Sequence, residues 1–315
     1  MLAGTASLLP ALCDAQEYPA RTIRMIVAGP PAGGADVVAR AIGPRATQLL
    51  GQQIVIDNRA GANGQIATEL VAKSAPDGYT VLLGTSSALT LSPNLQSSVP
   101  YDPVKSFAPV SMIAVAPLVM VVHPSVPATT VQQVVRLAKS RPQQLLYASN
   151  GTGSLSHLTT ELFRNSAGID VVHVPYKGGT PAVIDTISGQ VSMIITAIPT
   201  LLSQVKAGKV RAIAVTGEKR APALPAVPTI AASGYPKFSS YQWYALFAPA
   251  GAPPAVTQRL NGALSGATAS AEVQAIFARE GLDVSTSTPA DLARSLADDL
   301  AKWARVVKAA DIRME

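Results

Sequence analysis

Short apolar runs alternate with segments of helical periodicity along most of the chain. Residues 23–43, "IRMIVAGPPAGGADVVARAIG", show one full cycle: an apolar run, a turn of proline and glycine, and a helical pattern. Apolar runs that lack polar alternation are typical of parallel strands buried on both faces. The alternation therefore predicts an α/β fold in which helices flank a mostly parallel sheet.

The alternation occurs twice, in two sets of similar order and length. The first set predicts strands at 23–28, 53–57 and 80–84 and helices at 36–50 and 63–73. The second set predicts strands at 145–149, 171–175, 191–196 and 211–216 and helices at 131–140, 156–167, 181–188 and 200–207. Three more helices follow, at 255–267, 271–280 and 289–309. The repetition predicts two similar α/β lobes.

Two long extended runs separate the two sets. The first spans residues 106–124 and is interrupted by Pro117; the second spans 241–251, after a proline-rich stretch that we expect to run over the surface. We interpret both runs as crossovers, so that the second returns the chain and the C-terminal helices complete the first lobe. This assigns residues 18–117 and 243–315 to lobe 1 and residues 118–242 to lobe 2. Two crossover strands form a hinge, a geometry that closes around a small ligand.

Composition limits the partners of such a cleft. The chain is 48% hydrophobic and 14% charged, as a globular protein is. Its formal charge of +6 and pI near 9.5 would attract a nucleic acid or an acidic small molecule. The basic residues are scattered and aromatic residues make up only 5%, so a nucleic-acid partner is not expected. A generally positive cleft for a small anion is the better explanation.

Residues 1–15 are interpreted as a secretory signal peptide. Residues 8–12 are largely apolar, and residues 13–15, Cys-Asp-Ala, resemble a cleavage site. The basic segment that normally opens such a peptide is missing, so the leader is taken as truncated or begun too late. A retained N-terminal segment is the alternative. Cleavage after Ala15 would remove the only cysteine, and a thiol-free secreted protein suits the bacterial periplasm.

Four strand-to-helix junctions carry the candidate chemistry: "AGPPAGGAD" (28–36), "LGTSSALT" (83–90), "ASNGTGSLSH" (148–157) and "VPYKGGTPA" (174–182). Each places Gly, Ser or Thr past the carboxyl end of a predicted parallel strand, where open α/β sheets bind ligands. Glycine lets the backbone approach a ligand, and the free N–H groups of a helix start attract negative charge. With one residue at the end of a further strand, the candidate ligand-binding residues are Ala32, Gly33, Gly34, Ala35, Thr85, Ser86, Ser149, Thr152, Gly153, Ser154, His157, Tyr176, Lys177 and Thr196.

Structural explanations compete with these assignments. Asp36 suits a helix cap or a first-turn acid better than a ligand contact, Ser and Thr at such junctions often cap helices, and Lys177 suits a solvated surface position. His157 with Ser154 or Ser156 suggests a hydrolase as an alternative, but no G-x-S-x-G elbow and no orienting third group are apparent. No carboxylate accompanies the histidines at a metal-like spacing, so a metal site is not expected.

These junctions and their neighbouring segments resemble the solute-binding proteins of tripartite tricarboxylate transporters, called Bug or TctC-like receptors. The similarity extends from about Tyr18 to the C-terminus, and the combination of DGYT (77–80), YDPVKSFAPV (101–110) and VPYKG (174–178) is specific. The resemblance implies a periplasmic two-lobe fold of the second type, a Venus flytrap. Each sheet then has the strand order 2-1-3-n-4, with strand n supplied by the other lobe's crossover. It also implies that a small carboxylate, such as a di- or tricarboxylate or an aromatic acid, binds in the cleft without a metal or cofactor.

The same resemblance implies delivery of the ligand to the large and small subunits of a membrane permease. A ligand sensor that presents its closed form to a membrane kinase would share the pocket and stays open as an alternative. A monomer is the expected state of a hinged receptor. Two departures from the family pattern concern the ligand. Ala35 stands where the family commonly has threonine. Thr196 stands where the family often has an aspartate, which could pair with a ligand ammonium, so its absence favours a ligand without an amino group.

Overall fold

Lobe 1 is built around the apolar run of the first cycle. In the computed structural model, which describes residues 18–312, this run is strand β1 (Ile23–Val27). Strands β2 (Ile54–Asn58) and β3 (Thr80–Thr85) lie parallel to β1 on either side. Helices α1 (Gly34–Leu50) and α2 (Gln65–Ala72) connect these strands. Because both faces of β1 are covered, consecutive residues of the strand can all be apolar. The predicted signal peptide lies outside the described residues.

The first crossover follows β3. The chain makes a π-helical turn (Ser87–Leu91) and a short helix α3 (Ser92–Leu95), neither of which the sequence pattern predicted. It then enters strand β4 (Phe107–Val122). The predicted interruption at Pro117 is wrong, because β4 runs through it and changes sheets there, pairing with lobe 2 from Leu118 onward. Proline lacks an N–H, so it is best tolerated where a strand exchanges one partner for another.

Lobe 2 repeats the pattern of parallel strands connected by helices. Its helices are α4 (Val131–Ser140), α5 (Leu155–Ala167), α6 (Gly179–Ser188) and α7 (Ile198–Lys206), and its strands are β5 (Leu146–Ser149), β6 (Val172–Pro175), β7 (Met193–Ala197) and β8 (Arg211–Val215). Strand β5 lies between β6 and β7 and is parallel to both. The second part of β4 lies antiparallel between β7 and β8.

The chain returns to lobe 1 in strand β9 (Tyr241–Pro249), which lies antiparallel between β3 and the first part of β4. The two sheets therefore read β2-β1-β3-β9-β4 and β6-β5-β7-β4-β8. Each has the order 2-1-3-n-4 with strand n supplied by a crossover, so the predicted two-lobe fold of the second type is confirmed. The division of the chain at 117/118 and 242/243 stays a prediction.

The C-terminal segment consists of α8 (Pro254–Thr268), α9 (Ala271–Arg279), the short strand β10 (Asp283–Val284) and α10 (Pro289–Ala309). Helix α8 packs on α1, and β10, which the sequence pattern did not predict, pairs with the first part of β4. Helix α10 differs from the expectation. Its first half packs into lobe 1, but Trp303 and Val307 share a buried apolar cluster with Leu158 of α5. The last helix therefore joins the two lobes.

Several helix ends in the described part of the chain follow rules that the sequence shows. Helix α1 ends at Gly51, which adopts the left-handed conformation with φ 71°. Hydroxyl side chains cap the starts of four helices and accept a backbone N–H of the first turn: Thr130 for α4, Ser154 for α5, Ser270 for α9 and Thr288 for α10. Within residues 18–312, no helix combines the length and the hydropathy that a membrane crossing requires.

Candidate functional site

A cleft between the lobes holds two adjoining cavities. The first, of about 320 Å³, is lined by residues of both lobes, and the second, of about 470 Å³, lies in lobe 1 beside the start of α1. The residues that line both cavities are Asn63, Ser87, Gln242 and Tyr244. Among the described residues that line either cavity, none carries a charged side chain. A bound anion would therefore be held by neutral donors.

The turn before α1 is closed by Asp36. Its Oδ2 accepts hydrogen bonds from the Ala32 N–H and from Nε of Arg40, both at 2.8 Å. Ala32, and not a neighbouring glycine, adopts the left-handed conformation, with φ 61°. Burial pushes the pKa of Asp36 upward, but the bonds from Arg40 and Ala32 hold it below its usual value. The carboxylate thus stays charged and fixes the turn.

Gly34 is the position in this turn that requires glycine. A Cβ there would lie 2.2 Å from Oη of Tyr244 and 3.0 Å from its Cζ. Tyr244 is buried in β9, and burial raises its pKa to about 12, so the hydroxyl stays protonated. Within residues 18–312 this hydroxyl makes no hydrogen bond. The missing side chain therefore lets α1 begin directly beside a free hydroxyl at the cleft.

Helix α5 begins on the opposite side of the cleft. The Ser154 Oγ accepts the His157 N–H at 3.2 Å. The N–H groups of Leu155 and Ser156 have no acceptor among the described residues, and the same holds for the first two N–H groups of α1. Free N–H groups at a helix start attract anions, reinforced by the helix dipole. Because these residues line the cavities, each lobe places free donors at the same cleft.

Two pairs of neutral side chains complete the lining. In lobe 2, Asn150 Nδ2 donates to Thr196 Oγ1 at 3.3 Å. In lobe 1, Ser87 Oγ donates to Gln242 Oε1 at 3.3 Å. An amide side chain has two N–H donors and an oxygen with two lone pairs, so each pair retains unused hydrogen-bonding capacity. A ligand carboxylate can take up the remaining N–H donors.

His157 lies behind the start of α5. Its ring stacks on His173 with a centroid distance of 3.8 Å, and His173 stacks on Tyr147 at 4.8 Å. The Gly153 N–H donates to His157 Nδ1 at 3.1 Å, which requires an unprotonated Nδ1. Burial, followed by repulsion from His173, lowers the pKa of His157 to about 3, and burial lowers that of His173 to about 4. A neutral His157 therefore holds the loop before α5 and does not serve as a base for a serine nucleophile.

Acid should destabilise the fold through these two histidines. Their folded-state pKa values of about 3 and about 4 lie below the ordinary value of 6.5, so between about pH 6.5 and pH 4 the unfolded chain binds more protons. The free energy of unfolding then decreases as pH falls through this window, by at most about 1.4 kcal/mol per pH unit for each histidine. Urea denaturation across this range should show a slope that His173→Phe roughly halves. An unaltered slope in His173→Phe would contradict the assignment.

Comparison with known proteins shows the family to which this two-lobe protein belongs. The sequence model of the TctC family, described as the tripartite tricarboxylate transporter family receptor, matches residues 38–312. The chain belongs to this family. BugT of Bordetella pertussis is 40% identical to it over 296 residues, which is 94% of this chain and 91% of BugT.

Solved structures agree with the TctC assignment. A protein of R. palustris solved with adipate is 34% identical, with a TM-score of 0.77, and the match covers 94% of this chain and 99% of that one. MatC from Rhodopseudomonas palustris, solved with bound malate, is 30% identical, with a TM-score of 0.73, and the match covers 92% of this chain and 100% of MatC. TctC proteins are solute-binding receptors of the periplasm and not enzymes, so the hydrolase alternative is set aside.

In this TctC receptor, the predicted ligand-binding residues lie in three environments. Gly33, Gly34, Ala35, Thr85, Gly153, Ser154 and Thr196 line the two cavities. Ala32 lines a separate groove between α1 and α9. The remaining residues lie outside these linings: Ser86, Ser149 and His157 are buried, Thr152 and Lys177 are exposed, and Tyr176 is half-buried. Ser149 Oγ lies 2.6 Å from His173 Nε2, and the Tyr176 hydroxyl donates to Asp185 at 2.7 Å, so both already have protein partners.

Several residues that line the receptor's cavities were not among the predicted ones. Asn63 follows β2, in a glycine-rich junction at the carboxyl end of a parallel strand, so the signal used for the other junctions applied there too. Asn150 and Ser156 lie within a junction that had been singled out. Gln242 and Tyr244 lie on β9, which the sequence presented only as a crossover. Their sequence context contained no sign of ligand binding.

Proposed function

We propose that this protein is a periplasmic receptor that holds a small carboxylate between its lobes and delivers it to a tripartite tricarboxylate transporter. The observation that carries the proposal is the pair of helix starts, α1 and α5, which place free backbone N–H groups from both lobes at a cleft without charged side chains. Di- and tricarboxylates and aromatic acids are the expected class. The adipate and malate of the two solved relatives belong to this class.

Donors on both sides of the cleft explain why the ligand would close it. A ligand shifts a two-state equilibrium only by its differential affinity for the two states. A hydrogen bond to a charged group is worth about 1.5–3 kcal/mol, so a carboxylate that reaches both helix starts gains more than one bound to a single lobe. A dicarboxylate gives each helix start an anionic end. Succinate, malate, glutarate and adipate are therefore the first ligands to test.

The uncharged lining also indicates which carboxylates should bind weakly. An amino acid carries an ammonium group, and the described residues of the lining include no carboxylate to pair with it. Thr196 is buried and bonded to Asn150, so it offers a hydroxyl and no negative charge. Burying an unpaired ammonium is costly. We therefore expect the receptor to prefer the deaminated analogue of any amino acid.

Calorimetric titration with matched pairs tests both statements. The pairs are succinate with aspartate and glutarate with glutamate, and malate, adipate, citrate and benzoate complete the panel. We expect binding of at least one carboxylate, with the amino acid of each pair bound about tenfold or more weakly than its analogue, a difference of about 1.4 kcal/mol or more. The absence of binding to every member would contradict the proposed function. Tighter binding of aspartate or glutamate would contradict the argument from the uncharged lining.

Delivery to a permease rests on the family and on the predicted signal peptide. TctC proteins are receptors of tripartite tricarboxylate transporters. Osmotic-shock fractionation of the native cell should release the protein with the periplasmic fraction. Crosslinking with ligand present should then capture a permease subunit, and capture of a sensor kinase alone would favour the sensing alternative.

A further inference from the structure

Asp299 of α10 connects two elements that line the cleft, although it lines neither cavity itself. Its Oδ2 accepts hydrogen bonds from Oγ1 of Thr90, in the π-helical turn, at 2.8 Å, and from Nε1 of Trp243, in β9, at 2.9 Å. Nζ of Lys302 lies 2.6 Å from Oδ1. The Asp299 side chain is 11% exposed, and both donors are buried. Charge-assisted bonds shielded from water in this way are strong and directional.

Both partners of Asp299 are neighbours of residues that border the ligand space. Ser87 lies in the same π-helical turn as Thr90, and Gln242 precedes Trp243 in β9. Because successive strand residues face opposite sides, Trp243 faces α10 while Gln242 faces the cleft. Ser87 Oγ donates to Gln242 Oε1 at 3.3 Å. The π-helical turn and β9 are therefore linked at two points, directly at the cleft and through Asp299 behind it.

The π-helical turn depends on contacts outside itself. π-helical geometry is rare, and such turns occur mostly as single turns, often at functional sites. The single proton of the Thr90 hydroxyl lies between the Ser86 carbonyl oxygen at 2.9 Å and the Asp299 carboxylate at 2.8 Å, and the charged acceptor is the stronger one. Asn94 adds a second link between the turn and α10. Its Nδ2 donates to the carbonyl of Thr90 at 2.8 Å and to that of Leu300, in α10, at 3.1 Å. Helix α10 thus fixes the turn that carries Ser87.

We propose that Asp299 is a positioning residue for ligand binding, which clamps the π-helical turn to the second crossover strand and so sets the spacing of Ser87, Gln242 and Tyr244. The assignment rests on the proposed function, because positioning has meaning only if a ligand binds in the cleft. The proposal gives a role to Asp299, which the sequence shows only as one of two adjacent acidic residues on a helix face. Its neighbour Asp298 is exposed and makes none of these contacts, so the chain supplies its own matched control.

The test compares Asp299→Asn with Asp298→Asn in the full chain. Adipate and malate are titrated by calorimetry into each variant, and thermal stability is measured alongside. We expect Asp299→Asn to weaken binding by about tenfold and Asp298→Asn by less than about twofold. Thr90→Val, which replaces a hydroxyl with a methyl of similar size, should give a smaller loss and serves if Asp299→Asn does not fold. Val134→Ala, in the buried core of lobe 2, supplies a destabilised variant with an unaltered cleft.

A spectroscopic readout separates positioning from general stability. The chain has two tryptophans, and in a Trp303→Phe background the emission of Trp243 reports on the indole N–H that Asp299 accepts. We expect Asp299→Asn to shift this emission and Asp298→Asn to leave it unchanged. Full affinity in Asp299→Asn would overturn the proposal, as would a loss that Val134→Ala reproduces at equal stability. The absence of binding to the unmodified protein would instead remove the proposed function.

Discussion

Replacing Gly34 with alanine is expected to weaken carboxylate binding by roughly ten- to a hundredfold. The new Cβ would stand 2.2 Å from Tyr244 Oη, a distance that no packed structure tolerates. The tyrosine ring is buried in β9, so relief must come from moving its hydroxyl into the cleft or the start of α1 away from it. The first movement puts the hydroxyl where the ligand binds, and the second withdraws free N–H groups from the ligand. A lost bond to a charged group costs about 1.5–3 kcal/mol. Calorimetry with succinate and adipate measures the effect.

Gly43→Ala is the matched control for this substitution. Gly43 lies in the same helix, and a Cβ there would meet only Ile56 Cδ1, at an ordinary contact distance of 3.5 Å. Alanine is the better helix former, but its Cβ is disfavoured in the helical residue before Pro44, so we expect unchanged affinity and little net change in stability. Tyr244→Phe separates the two causes within the site, because it removes the hydroxyl without adding a Cβ. If Gly34→Ala bound as tightly as the unmodified protein, the start of α1 would have no part in ligand binding.

Replacing Leu155 with proline should cause a loss of similar size at the other lobe while leaving the fold intact. Leu155 is the first residue of α5, the position that proline occupies most readily in helices, and Ser154 before it is extended, with φ −66° and ψ 157°. Proline therefore fits the backbone and removes one free N–H from the cleft. We expect binding to weaken about ten- to a hundredfold, the equivalent of one charge-assisted hydrogen bond. Calorimetry and a thermal melt of the same sample report affinity and stability together.

Leu155→Ala separates the lost N–H from the lost side chain. It shortens the side chain as proline does but keeps the donor, so it should retain most of the affinity. Equal losses in the two variants would show that Leu155 acts through its side chain. The free N–H groups of α5 would then make no contact with the ligand. The proposal that donors from both lobes hold the carboxylate would be wrong.

The sequence predicted those parts of the fold that depend on local pattern. Helices α4 and α10 begin and end where the periodicity placed them, because an apolar stripe and a capping hydroxyl mark each start. The strand order came from the family resemblance together with the two extended crossover runs. Glycine and hydroxyl residues at strand ends led to several of the cavity residues, since the carboxyl edge of a parallel sheet collects such groups.

The remaining parts of the site depend on contacts between distant segments. The need for glycine at position 34 comes from Tyr244, which lies in another strand and carries no local signal of its role. Asp299 was one of two adjacent acids on a helix face, and only the fold shows which of them meets Thr90 and Trp243. The π-helical turn lacks the apolar periodicity of an α-helix, so no sequence pattern predicted it. Such features are fixed by tertiary packing and not by local sequence.

The insertion of β9 between β3 and β4 bears on how lobe 1 folds. Strand β9 inserts between β3 and β4, and α10 supplies buried residues to both lobes. Until both segments have joined it, lobe 1 has neither a continuous sheet nor a covered interior. Early compaction of the N-terminal half would therefore be unproductive. Segments that lie far apart along the chain must therefore meet before lobe 1 is complete, so we expect its folding to be slow and cooperative.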